Sequence, residues 1–89
     1  MSKLKQQTRI QNPYTLRMRF FDQKGQPREW VNQGTGQFTT IELVQRQIRL
    51  LKANYPNKTV EVEFKMNGKL LGFNGEEIGT TMIFKRRDG

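Results

Sequence analysis

Eighty-nine residues bound the chain to a single domain, one that buries roughly 60–65% of its unfolded surface. The sequence holds neither cysteine nor histidine. That excludes disulfide and thiol chemistry, the usual zinc, copper and haem ligand sets, and most catalytic triads. Sixteen Lys and Arg against eight Asp and Glu give a net charge of +8, which attracts polyanions such as nucleic acid or an acidic protein surface.

The charge is uneven. Residues 1–57 hold ten basic and three acidic side chains, and residues 58–89 hold six and five. No run approaches the ~20 apolar residues of a membrane span, and the basic start lacks the apolar centre of a secretory signal. A cytoplasmic protein with no membrane partner is the expectation. A hydrophobic fraction of 34% allows a thin core and leaves little apolar area for a second layer.

Residues 1–13 are polar and basic without periodicity, and read as a flexible arm with Lys3, Lys5 and Arg9 as its anchors. Residues 14–87 read as one α+β domain. Over residues 14–21 the apolar positions alternate: Tyr14, Leu16, Met18 and Phe20 on one face, Thr15, Arg17, Arg19 and Phe21 on the other. That period is a half-buried strand. Asp22 to Gly25 is a turn, and a second strand follows over residues 28–32, placed at a sheet edge by Pro27. Two registers fit this hairpin. In one, Trp30 stands beside Arg17 and Arg28 opposite Arg19, on the face away from the helix. In the other, Trp30 enters the core behind Met18.

The glycine-bearing segment 33–37 opens onto a helix N-terminus, where free amides favour anions. It lacks the Lys-Ser/Thr of a phosphate-binding loop and reads as a connector. The one helix is expected over residues 39–54. Thr39 and Glu42 have the spacing of a capping box, Phe38 and Leu43 that of a hydrophobic staple. Ile41, Val44, Ile48, Leu51 and Tyr55 recur at helical spacing, with Arg46, Arg49 and Lys52 on the opposite face as a secondary basic surface. Glu42 and Arg46 stand four apart, as a helical ion pair would. Asn54 is the expected left-handed terminator before Pro56.

Val60, Val62, Phe64 and Met66 alternate with Glu61, Glu63 and Lys65. Asn67-Gly68 is a strong hairpin signal. Strands over residues 69–73 and 80–85 complete the domain, the last with either Met82 and Phe84 or Thr81 and Ile83 inward, and Lys85-Arg86-Arg87 forms a basic end. The order β-β-α-β-β-β packs a single helix on a small, mostly antiparallel sheet. It resembles a β-grasp in element order only.

Glu61 with Glu63 and Glu76 with Glu77 are the only acidic pairs in the sequence. Carboxylates alternating along a strand are more simply its solvated side than a catalytic pair, so no enzyme activity, cofactor or metal is expected. The constellation with chemical content is Arg17, Arg19, Phe21, Arg28 and Trp30, joined by the arm residues Lys3, Lys5 and Arg9. Arginine supplies charge, forked donors and a stacking surface, and aromatic rings stack on unpaired bases. The pattern points to a non-catalytic nucleic-acid-binding module, for DNA or RNA. The alternative is a protein-interaction module, a small inhibitor or accessory factor docked on an acidic partner.

Overall fold

The computed structural model describes residues 14–34 and 38–87. The arm anchors Lys3, Lys5 and Arg9 lie outside the described residues. The elements are β1 (Tyr14–Phe20), β2 (Val31–Asn32), α1 (Ile41–Asn54), β3 (Val60–Met66), β4 (Lys69–Leu70) and β5 (Met82–Phe84). The chain is an α+β domain with one helix among the described residues and an antiparallel sheet of order β2-β1-β3-β4, in which β5 also pairs with β3.

β1 and β3 form the centre of the sheet, paired along their whole lengths from Tyr14 opposite Met66 to Phe20 opposite Val60. On the face toward α1, Leu16, Met18, Val60, Val62 and Phe64 are buried with Val44, Ile48 and Leu51 of the helix, and Phe38 and Leu71 close the core. Tyr14 meets Phe64 edge-on and Phe20 meets Tyr55 edge-on, in the arrangement that aromatic quadrupoles favour. Met82 and Phe84 pack inward against this core, while Ile83 turns out and is 51% exposed.

The helix begins later than the sequence spacing suggests. Thr40, not Thr39, is the N-cap, and its hydroxyl accepts from the Leu43 amide at 3.2 Å. The third helical position is therefore Leu43 rather than Glu42, and the reciprocal carboxylate of a capping box is lost. Phe38 is drawn into the core and fixes the entry of the chain by packing. At the other end Tyr55 is the C-cap, with its amide donating to the Leu51 carbonyl. Asn54 is not left-handed, since Asn67 is the one non-glycine residue with positive φ among those described.

Strand β2 is shorter than expected. Between the pairs Phe21–Pro27 and Met18–Val31, two residues of β1 face three of the returning chain, Arg28, Glu29 and Trp30. This is a bulge, which re-aims side chains at a sheet edge. It replaces both registers considered above: Asn32 pairs with Arg17, Val31 with Met18, and Trp30 comes to lie over Arg19 and Arg17 on the face away from the helix.

The segments 20–28 and 70–78 form loops with one hydrogen-bond pattern. Asp22 donates to Gln26, Gly25 to Asp22 and Arg28 to Phe20; fifty residues on, Gly72 donates to Glu76, Gly75 to Gly72 and Ile78 to Leu70. Gly25 and Gly75 share a left-handed φ of 82° and 88°, which only glycine adopts without strain. In the first loop the Asp22 carboxylate accepts from the Lys24 amide, and in the second the Glu76 carboxylate accepts from the equivalent Asn74 amide. The same donor is thus satisfied from opposite sides of the loop. Gly72 stands where Asp22 stands, and a Cβ there would lie 2.6 Å from the Glu76 carboxylate.

Two predictions test these local assignments. Thr40→Ala should lower unfolding free energy by about 1 kcal/mol in urea titration, with Thr39→Ala costing less, because Thr40 holds the cap. Gly72→Asp should lower Tm by setting a second carboxylate against Glu76. Gly72→Asp combined with Glu76→Gln copies the Asp22 and Gln26 arrangement and should recover most of the loss. A double variant no more stable than the single one would show that the two loops are not interchangeable.

Candidate nucleic-acid interface

The face of the sheet away from α1 is built by the β1–β3 register. Arg17 lies opposite Glu63 and Arg19 opposite Glu61, so each guanidinium meets a carboxylate on the neighbouring strand. Arg17 forms a forked pair, Nε to Oε1 at 2.6 Å and Nη2 to Oε2 at 3.0 Å. Arg19 Nε donates to Glu61 Oε1 at 2.7 Å, and the Thr81 hydroxyl donates to Glu61 Oε2 at 2.6 Å. Half-buried Trp30 completes the group, its ring centroid 4.7 Å from the Arg17 guanidinium carbon and 4.2 Å from that of Arg19.

The charges respond to this pairing. The hydrogen bond from Arg17 holds the Glu63 carboxyl below the usual carboxylate range against the opposing effect of burial. For Glu61, burial pushes upward, and the bonds from Thr81 and Arg19 outweigh it, so that its pKa is also lowered. Arg17 is raised by its bond to Glu63. Forked arginine–carboxylate bonds are the strong, geometrically specific kind. The network is a brace across the two central strands, and it neutralises both arginines.

Of the five sheet residues singled out from the sequence, the structure brings together Arg17, Arg19 and Trp30. Phe21 and Arg28 stand nearer the hairpin turn: Phe21 is half-buried and bridges to Pro27, and Arg28 is exposed. On α1, Arg46, Arg49 and Lys52 are exposed. Arg49 reaches over the Phe73 ring and Lys52 over that of Phe84, at 5.9 and 4.7 Å. Glu42 and Arg46 do not pair; the ion pairs among the described residues are Arg17–Glu63, Arg19–Glu61 and the exposed Lys69–Glu77.

A second basic region emerges where the helix ends. The 55–59 loop carries Lys58, and the basic end docks along it: Arg87 donates its amide to the Pro56 carbonyl at 2.8 Å, and Arg86 its amide to the Thr59 hydroxyl at 3.3 Å. Lys52, Lys58, Lys85 and Arg87 surround a small hollow containing Tyr55 and Phe84. Lys58, which lies 5.2 Å over the Phe20 ring, also borders two larger depressions, one with Arg28 and Phe21 and one with Phe21 and Ile83. Cations also complement the negative end of the helix dipole here. The sequence showed the basic end but not that Lys52 and Lys58 converge on it, because loop docking leaves no periodic signal.

Among the described residues no cluster of three or more Asp or Glu could hold a metal ion, and no helix is long and apolar enough to cross a membrane.

The brace predicts a definite acid response. Both glutamates bind fewer protons folded than unfolded, so their stabilisation is fully present above the unfolded carboxylate pKa of about 4.3 and is lost as pH falls through the lower folded values. The urea midpoint should hold from neutral pH to about pH 5 and then decline. Glu63→Gln should lower the midpoint at neutral pH and flatten the acid limb; an acid limb identical to that of the parent protein would show that the Arg17–Glu63 pair contributes nothing.

Set against family models, curated proteins and solved structures, the chain matches none of them, and the functional reading therefore rests on the geometry of the two faces just described.

Proposed function

We propose that the protein is a non-catalytic nucleic-acid-binding module whose phosphate contacts are made at the basic pole around the 55–59 loop. One observation carries this reading. Arg17 and Arg19 are matched by glutamates, whereas Arg28, Lys58, Lys85 and Arg87 form no ion pair with a described carboxylate and border three depressions that meet at Lys58, the one with Arg28 also lined by Asp22 and Glu29. Unmatched cations on one surface form a polyanion footprint. The two arginines first singled out in the sequence then act as a structural support, and the contact residues shift to Arg28, Lys52, Lys58, Lys85 and Arg87.

One feature favours the alternative of a protein partner. Val31 at the sheet edge and Ile83 on the open face are 49% and 51% exposed, and an edge strand accepts a partner strand. Retention of partners from cell extract after nuclease treatment separates this reading from the first.

The proposal is tested by fluorescence anisotropy with a labelled oligonucleotide. With about four phosphates neutralised, affinity should fall roughly 100-fold between 50 and 200 mM salt. Lys58→Ala with Lys85→Ala should weaken binding and reduce the salt slope by about two, while thermal stability is retained. Salt-independent binding, or a slope untouched by the double substitution, would overturn the proposal.

A further inference from the structure

The depression between the first hairpin turn and the 57–59 segment has a volume of about 480 Å³, within the range of small-ligand sites, ~300–1,000 Å³. Its apolar lining is the half-buried ring of Phe21 and the side chain of Ile83, whose exposure of 51% is the highest among the large hydrophobic residues described. Gln23 and Asn57 stand on its wall, both exposed, and neither side-chain amide is engaged in a hydrogen bond with the described residues. Lys58 and Arg86 supply positive charge at its rim. Asp22 is the carboxylate of this site, and its Oδ1 already accepts from the Lys24 and Gln26 amides at 2.9 Å.

We infer that this depression receives an unpaired nucleobase, and hence that the ligand is a single strand. The inference rests on the nucleic-acid reading above and deepens it. An apolar, partly aromatic lining beside cations fits a group that offers a flat π-face attached to a phosphate. A duplex presents phosphates and sugars outward and keeps its base faces stacked inside, so Phe21 and Ile83 would have nothing apolar to meet. Amide side chains match the donor and acceptor edge of a base that has left its pair.

The brace argues in the same direction. Reading a duplex in the major groove relies on forked arginine donors placed on guanine edges. Arg17 has its fork committed to Glu63, and Arg19 has its Nε committed to Glu61. Of the hairpin's arginines only Arg28 stands outside the brace, so the ribbon has a single fork to offer a base pair and recognition falls chiefly to stacking and phosphate contacts, which tolerate sequence.

The experiment compares labelled single strands of deoxythymidine and uridine, twelve nucleotides long, with a duplex of equal length at 50 mM salt. Three proteins are used: the parent, Phe21→Leu and Ile83→Ser. Leucine keeps the apolar volume and removes the ring, and residue 83 is exposed; thermal melts verify that both variants fold. The parent should bind single strands at least about 10-fold more tightly than the duplex. Phe21→Leu should lose at least about 5-fold for single strands, the lower end of one base–aromatic stack, and Ile83→Ser should weaken the same ligand, with duplex affinity and salt slope unchanged in both. Equal affinity for single and double strands, with the salt slope intact, overturns this inference and leaves the phosphate reading standing. A single-strand preference unaffected by either variant places the base elsewhere and overturns it too. Absence of salt-dependent binding to every oligonucleotide overturns the nucleic-acid reading itself.

Discussion

The pairing of β1 with β3 is the constraint on which the rest of the structure depends. One antiparallel register, running from Tyr14–Met66 to Phe20–Val60, sets two layers at once. On one face it aligns Leu16 with Phe64 and Met18 with Val62 as the floor on which the helix packs. On the other it sets Arg17 against Glu63 and Arg19 against Glu61. A slip by one residue would exchange the faces, placing four charged side chains beneath the helix and the core residues in water. The penalty for burying such charges unpaired runs to several kcal/mol per ion, so the register is specified by both layers together.

Among the described residues one helix covers one side of the sheet. The opposite side is protected differently, by long side chains laid flat. The arginine stems and the Trp30 ring lie over the central strands, with the guanidinium ends bonded to glutamates and Glu61 bonded in turn by Thr81. Long charged side chains can cover apolar surface while their heads stay hydrogen-bonded. The arrangement explains why an arginine–aromatic pattern that resembles a binding face in the sequence serves as a fastening in the fold.

The sequence displayed the single helix, the central strands, the Asn67-Gly68 turn and the α+β order, because each leaves a period or a turn residue in the chain. The features it concealed are of another kind. The helix start was displaced by one residue because Phe38 is needed in the core, a tertiary demand that outweighs the local capping pattern. Strands 2 and 4 were overestimated because a bulge and the 70–78 loop interrupt the ladder without interrupting the alternation. The Arg–Glu brace was hidden since strand order is not written in periodicity: Arg17 and Glu63 are 46 residues apart, and only their adjacency in the sheet joins a pattern that reads as a binding face to one that reads as a solvated face.

The brace also changes how the positive charge is to be counted. Net charge treats every lysine and arginine alike, yet a guanidinium forked onto a carboxylate cannot release counterions from a polyanion as an unmatched ammonium can. With Arg17 and Arg19 set aside as paired, Lys58, Lys85 and Arg87 at the loop after the helix are among the cations that form no ion pair with a described carboxylate. This pole adjoins the hairpin carrying Phe21 rather than the one at the helix N-terminus, where Gly75 is pressed against Ile41 and the Phe73 carbonyl is held by Gln45. Two loops of one geometry therefore have different environments. The 70–78 loop is spent on packing under the helix, and the 20–28 loop is left at the edge of the basic pole, where its aromatic and amide side chains are available to a ligand.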